Sequence, residues 1–278
     1  TAQIGDPSDK LSKRPFLSEA QVRGNMASYQ EQLGKILNLA KVEFRYNSEW
    51  LGPLSLRKLD ELAELFTVQQ IISRRNFQER WDNEQEISVR EFHYPLYQGY
   101  DSVAVKADIE IGGTDQLFNL LAGRKIQEAY GQAAQDVLTT SMLVGLDGQK
   151  MSKTAGNVIN ITDTAQDTYG KLMSLRDELL PDYFWLVARA SAEKLLSVKK
   201  ALKDGINPRD LKMELARAVV TKYHGVSAAT EAEGYFVSTF QKKEIPTVIP
   251  TYTLPPTTYT LVDLLVQTKL ATSRAEAR

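Results

Sequence analysis

The chain has 278 residues, 42 % of them hydrophobic and 25 % charged, with a formal net charge of −1 and no cysteine. This is an ordinary globular composition at a length beyond one typical domain; the missing thiols exclude disulfides and thiolate-held metals, and they fit a cytoplasmic protein. No window approaches the ~18 consecutive apolar residues of a membrane span.

Gly5-Asp6-Pro7 turns the chain as though a strand were already finishing, so an internal fragment of a longer protein is expected. Ser18 with Gln21 can cap a helix whose apolar stripe is Val22, Met26, Tyr29, Leu33, Ile36, Leu37 and Ala40, spaced by threes and fours. Val42–Tyr46 then switches to strict alternation, a strand signal. Helical patterns follow over 56–66 and 68–81, and 85–93 reads as polar and irregular. Val103–Val105 and Asp108–Ile111 read as strand, broken by Gly112-Gly113; Thr114 caps the next helix, which ends near Gly131. Residues 137–146 return to strand. This alternation predicts an α/β domain on a mostly parallel sheet.

Beyond about residue 160 the pattern is helical only, with segments near 164–176, 182–188, 191–203, 208–224 and 227–240. Between Arg189 and Lys222 stand nine lysines and arginines against four acids, an excess that suits a phosphate-facing patch; a solvated helical face is the alternative. Residues 241–260 hold four of the ten prolines and read as an extended linker. Leu261–Val266 begins a further small unit, and Ser273-x-x-Glu276 is a capping box just before the chain stops.

Three clusters carry candidate chemistry. "GQKMSKTAGN" at 148–157 places two lysines on a glycine-flanked loop directly after the apolar run Met142–Leu146. Cations on such a loop can close on a triphosphate whose oxygens gain charge as pyrophosphate leaves; a solvated turn is the plain alternative. The spacing Tyr94-x-x-x-Gln98-x-x-Asp101 puts three polar side chains on one helical face, either a binding face or simply a wet one, with Asp101 turned toward Ser102 in the second case. Gly112-Gly113-Thr114-Asp115-Gln116 follows a strand and opens a helix, where open α/β sheets bind ligands. Glycines admit close backbone approach and Asp115 can accept from ribose hydroxyls, although a turn and N-cap would look the same. His93 and His224, the two histidines, are read as core or surface residues, and no Gly-x-Gly-x-x-Gly fingerprint is present.

"KMSKT" at 150–154 resembles the second signature of class I aminoacyl-tRNA synthetases, KMSKS, with Thr154 keeping the hydroxyl. "GGTDQ" at 112–116, "YPLYQGYD" at 94–101 and "TAQIGDPS" at 1–8, followed by Lys10 and Arg14, resemble the bacterial-type tyrosyl-tRNA synthetases, and "LVDLLVQTKLATSRAEAR" resembles the start of their terminal RNA-binding domain. The likeness covers essentially the whole chain. It implies a Rossmann-like catalytic domain over 1–147 with a helical insertion at about 54–92, a mobile loop and linker at 148–162, a helical anticodon-binding domain at 163–242, and a linker with the start of a truncated RNA-binding domain at 243–278.

The resemblance also implies the site. Asp6, Tyr94 and Gln98 would bind the ammonium of L-tyrosine, Asp101 its phenolic hydroxyl, and Gln116 would line the pocket. Gly113 and Asp115 would hold the adenylate's ribose, while Lys150, Lys153, Thr154, Lys10 and Arg14 meet the triphosphate of ATP, taken with Mg2+ as the substrate complex. No resident metal site is implied. Asp9 stands where glycine is usual, and Glu110 where other members have Gln, which leaves its direct role open. The His-x-Gly-His signature of the class is absent and would lie upstream of Thr1, so the isolated chain is expected to be impaired in ATP activation. The implied activity is formation of tyrosyl-adenylate and transfer to tRNA(Tyr) by a cytoplasmic homodimer, with 54–92 as the dimer surface and no membrane partner. Two alternatives stay open: the tryptophanyl-tRNA synthetase sibling and a non-catalytic RNA-binding relative.

Overall fold

A computed structural model describes residues 1–8, 15–151, 155–241, 252, 259–271 and 273–277. Lys10, Arg14, Lys153, Thr154 and most of the proline-rich linker lie outside the described residues.

Seven helices precede the sheet among the described residues: α1 (Glu19–Met26), α2 (Tyr29–Gly34), α3 (Ser48–Leu51), α4 (Leu56–Ala63), α5 (Val68–Ile72), α6 (Arg75–Asp82) and α7 (Val89–Val105). Side-chain caps place several starts. Ser18 with Gln21, Thr67 with Gln70 and Ser88 with Glu91 each form a reciprocal capping box that satisfies two otherwise orphaned N–H groups. The long helix expected from residue 19 to 40 is broken instead into α1, α2 and a 3₁₀ turn at Leu39–Lys41. Much of its stripe is uncovered among the described residues: Val22 and Met26 are half-buried but Tyr29, Leu33, Ile36 and Leu37 are exposed, and with so little burial a sequence carrying Gly24 and Gly34 has little to hold it helical.

The sheet follows. β1 (Ile109–Gly113) runs into a 3₁₀ turn (Thr114–Gln116), α8 (Leu117–Ala129) and then β2 (Asp136–Thr140). The strands pair parallel, Ile109 opposite Asp136 through Gly113 opposite Thr140, so β1, α8 and β2 make one βαβ unit. Three strand expectations are corrected. Val42–Tyr46 is extended with no strand partner among the described residues, though its alternation survives in burial, Val42 and Phe44 being half-buried and Glu43 and Arg45 exposed. Val103–Val105 is the last turn of α7, because Val103 packs with Leu62, Leu96 and Ile126 in a core shared by α4, α7 and α8, and the helix stops only at Lys106, with φ of 54°. β2 ends at Thr140, since Leu146 joins a different, helical core. The stretch read as irregular before Tyr94 is helical from Val89 onward, started by the Ser88–Glu91 box.

α9 (Ala165–Met173), α10 (Leu180–Leu186), α11 (Ala192–Lys203), α12 (Arg209–His224) and α13 (Val226–Phe236) follow the sequence expectations closely. Their core holds Tyr169, Leu172, Phe184, Val198, Leu215 and Val220, all essentially inaccessible. α14 (Leu261–Gln267) lies beyond the linker. No helix among the described residues is long and apolar enough to cross a membrane.

Candidate functional site

The site starts from a turn. Gly5, with φ of 82°, lets the chain reverse into Asp6-Pro7-Ser8, and Asp6 Oδ1 accepts from the Ser8 N–H at 2.8 Å. Side chains before and within α6 fix this turn from one side: Asn76 Nδ2 donates to the Pro7 carbonyl (2.7 Å) and Arg74 Nη2 to Ser8 Oγ (2.8 Å). Arg74 is buried over the Phe118 ring, 4.7 Å from its centroid; burial lowers its pKa while the nearby Asp6 opposes that shift. From the other side Gln116 Nε2 donates to Asp6 Oδ2 at 2.7 Å.

Asn119, fully buried on α8, ties this turn to α7. Its Nδ2 lies 3.0 Å from Ser8 Oγ, from Gln98 Oε1 and from Gln116 Oε1. Residues 6–8, 98 and 116–119, distant in sequence, thus form one hydrogen-bond network. Tyr94 is half-buried one turn before Gln98 on the same helix. One turn after Gln98, Asp101 does not turn toward Ser102. Its Oδ1 accepts from Trp50 Nε1 (2.7 Å) and its Oδ2 from Asn47 Nδ2 (3.1 Å). Burial raises the Asp101 pKa, and these two donors resist the rise. Each carboxylate oxygen keeps a second lone pair for another donor.

At the carboxyl end of β1 side chains press close on the glycine backbone. A Cβ on Gly113 would sit 2.6 Å from Asp115 Oδ1 and 3.1 Å from Met142 Sδ, so the bare backbone is what lets Asp115 fold back over the strand end. Asp115 and Lys150 line one open cleft of about 670 Å³ with Ser8, Arg74, Thr114 and Met142. The lysine loop is clamped at its base. Asn157 is buried, donates through Nδ2 to Asp147 Oδ1 (2.8 Å) and to the Lys150 carbonyl (3.2 Å), and accepts from the Leu146 N–H at 3.0 Å. Tyr183 of α10 adds a hydrogen bond to the Val144 carbonyl at 2.8 Å, joining the loop to the helical core.

Of the residues singled out in the sequence, Asp6, Gln98, Gln116 and, one turn along α7, Tyr94 and Asp101 are brought to the same region, with Asp115 and Lys150 lining the adjoining cleft and Gly113 beside Asp115. Residues 1–241 match the family of class I tRNA synthetases specific for tryptophan and tyrosine. The chain belongs to that family. It is 45 % identical over 280 residues to the tyrosine–tRNA ligase of Moorella thermoacetica, an alignment covering 100 % of this chain and 68 % of that protein. Identity to the tyrosine–tRNA ligase of Carboxydothermus hydrogenoformans is 47 % over 257 residues, covering 92 % of this chain and 62 % of the relative. The crystal structure of a C-terminally truncated mitochondrial tyrosyl-tRNA synthetase from Aspergillus nidulans superposes with a TM-score of 0.63 at 18 % identity, over 86 % of this chain and 74 % of that one. That likeness shows a shared fold, the Rossmann-like α/β unit followed by helices.

Within this synthetase frame, Asn119, Arg74, Asn76, Asn47, Trp50 and Gln135 escaped the sequence reading. Asn119 had the one usable signal, three residues after Gln116 on the helix that follows the glycine turn. The others sit in stretches with no motif spacing.

Proposed function

We propose that the chain is the larger part of a tyrosine–tRNA ligase, which activates L-tyrosine with ATP and passes the tyrosyl group to tRNA(Tyr). The observation that supports it most is the joining of Asp6, Gln116, Asn119 and Gln98 in one network beside Asp101. Such a group of half-buried acceptors, held by the buried Asn119, fits a cationic amino acid bearing a hydroxyl at its far end.

In this reading Asp6, Tyr94 and Gln98 receive the ammonium, Gln116 fixes Asp6 and lines the pocket, and Asp101 accepts the phenolic O–H. Asp115 and Gly113 receive the ribose. The tyrosine carboxylate attacks the α-phosphorus of the magnesium complex of ATP and pyrophosphate leaves. No side chain is consumed, so positioning and electrostatics lower the barrier. Lys150, with Lys153, Thr154, Lys10 and Arg14, neutralises the departing phosphates. The clamp at Asp147 and Asn157 holds the base of the lysine loop beside the cleft while its tip serves the phosphates. The terminal adenosine of the tRNA then attacks the tyrosyl carbonyl and AMP leaves. The complete protein acts as a cytoplasmic homodimer through the 54–92 region, and α9–α13 contact the RNA.

The test is binding by the full-length gene product of tyrosinol against tryptophanol. Preference for tyrosinol supports the reading. Preference for tryptophanol would move the protein to the tryptophan branch, and tRNA binding with neither amino alcohol bound would favour a non-catalytic RNA-binding relative.

A further inference from the structure

An ammonium group only donates hydrogen bonds, so the side chains that meet it must present oxygen. Asp6 does so whichever way its carboxylate turns. Gln98 has an oxygen at one end of its amide and an NH₂ at the other, and a neighbour must choose between them.

The choice can be traced from the carboxylates inward. Gln116 Nε2 lies 2.7 Å from Asp6 Oδ2 and 3.4 Å from Asp115 Oδ2. A carboxylate accepts and does not donate, so the nitrogen of Gln116 belongs on that side and its oxygen on the other. Asn119 of α8 must then offer nitrogen to that oxygen, and its Nδ2 stands 3.0 Å from Gln116 Oε1. The same nitrogen stands 3.0 Å from Gln98 Oε1, so Gln98 presents its oxygen at this junction. The turn of residues 6–8 arrives at the same point, with Ser8 Oγ also 3.0 Å from Asn119 Nδ2. Each amide takes its direction from the one before it.

Asn119 is fully buried and acts here only as a donor. Its Nδ2 has two hydrogens for three oxygens. Ser8 Oγ already accepts from Arg74 Nη2 at 2.8 Å, which leaves the two glutamine oxygens as those that depend on Asn119. Asn119 Oδ1 is buried too and has no hydrogen-bond partner among the described residues. An unpaired buried carbonyl works against folding, so the donor end is what this position uses.

We propose that Asn119 is a positioning residue for amino-acid binding, a buried relay that sets the direction of two glutamine amides. It keeps the Gln98 oxygen available to the substrate ammonium through its second lone pair and keeps the Gln116 NH₂ on Asp6. This rests on the tyrosine reading above. Without the relay the Gln98 amide is free to turn over, and its NH₂ would then oppose the ammonium.

The experiment compares two ligands that share the phenol, tyrosinol and 3-(4-hydroxyphenyl)propan-1-ol, the second lacking the ammonium. Binding of each to the full-length protein is measured calorimetrically. Asn119→Leu removes the donor at similar size, and Asn119→Ala removes it with no possibility of a clash. Each should reduce the preference for tyrosinol over the desamino ligand by about tenfold. A double-mutant cycle with Gln98→Met separates positioning from general support of the fold. With Gln98 already gone, Asn119→Ala should change the preference by about threefold or less, the part carried through Gln116. An unchanged preference in Asn119→Ala, with both ligands weakened equally, would overturn the inference. So would the full tenfold change persisting beside Gln98→Met. Failure of the wild type to bind tyrosinol would instead overturn the tyrosine reading and this inference with it.

Discussion

At the scale of single residues, Asp101 and Lys150 separate recognition from chemistry. Asp101 is a half-buried acceptor whose two oxygens are oriented by Trp50 and Asn47. A substrate without the hydroxyl leaves that acceptor underused, at a cost of roughly 1–3 kcal/mol. Asp101→Ala should accordingly lower the ratio of kcat/KM for tyrosine over phenylalanine by at least about tenfold; unchanged selectivity would remove Asp101 from the pocket. Lys150 is exposed on the cleft and far in role from the phenol. Lys150→Ala should slow adenylate formation by about a hundredfold with tyrosine affinity nearly intact, as rapid-quench and equilibrium binding would show. Gln98 and Asp101 were legible in the sequence because their spacing puts them on one helical face, whereas Asp6 and Gln116 were marked only by the resemblance of their motifs. Asn119 and Gln135 were not. A buried amide earns its place by partners that come from other elements, and no local period records them.

At the scale of elements, α7 and its contacts decide the site. The buried Arg80–Glu91 pair, with Nη1 to Oε1 at 2.7 Å, anchors the start of α7 to α6. Burial by itself would raise the Glu91 pKa, but the Arg80 guanidinium and the Ser88 N–H outweigh it and hold the carboxyl below its ordinary 4.5. A depressed carboxyl contributes stability that is complete above the unfolded-state value and lost as pH falls through the folded one. Urea denaturation over roughly pH 3–6 should show stability falling on acidification below that ordinary value, and the fall should be shallower in Glu91→Gln, which is itself destabilised by about 3–5 kcal/mol at neutral pH. Equal slopes in both proteins would exclude the linkage. Gly123→Ala tests the α7–α8 approach; overpacking against Ser102 and Gln135 should cost about 1–3 kcal/mol in the same assay. The start of α1 was readable from Ser18 with Gln21, while the Thr67–Gln70 box was not used and the Ser88–Glu91 box was passed over among polar neighbours. Strands were over-read: Val103–Val105 is apolar because α7 buries it against α8, and a three-residue apolar run carries no information on period.

At the scale of the molecule, a local excess of positive charge lies within residues 189–222 of the helical part, nine lysines and arginines against four acids. Several of its cations are engaged: Lys194 with Glu214, Lys212 with Asp177 and Arg217 with Glu233. Lys199, Lys200 and Lys203, all on α11, have no carboxylate partner among the described residues. They are the side chains of this region best suited to phosphates. Replacing all three with alanine should weaken tRNA binding and flatten the log–log salt dependence by about two units, with pyrophosphate exchange untouched. An unchanged salt slope would place the RNA elsewhere. The succession of an α/β unit and a helical unit was legible because apolar periodicity changes where the strands stop. The broken α1–α2 segment was not, because its stripe has the helical period and is largely uncovered among the described residues.

The central claim is that one network of half-buried acceptors selects tyrosine for activation beside a cationic loop. Amino-acid-dependent exchange of pyrophosphate into ATP by the full-length gene product tests it most directly. Exchange driven by tyrosine, and not by tryptophan or phenylalanine at equal concentration, is the predicted result. Exchange driven by tryptophan, or none with any of the three while tRNA still binds, would contradict it.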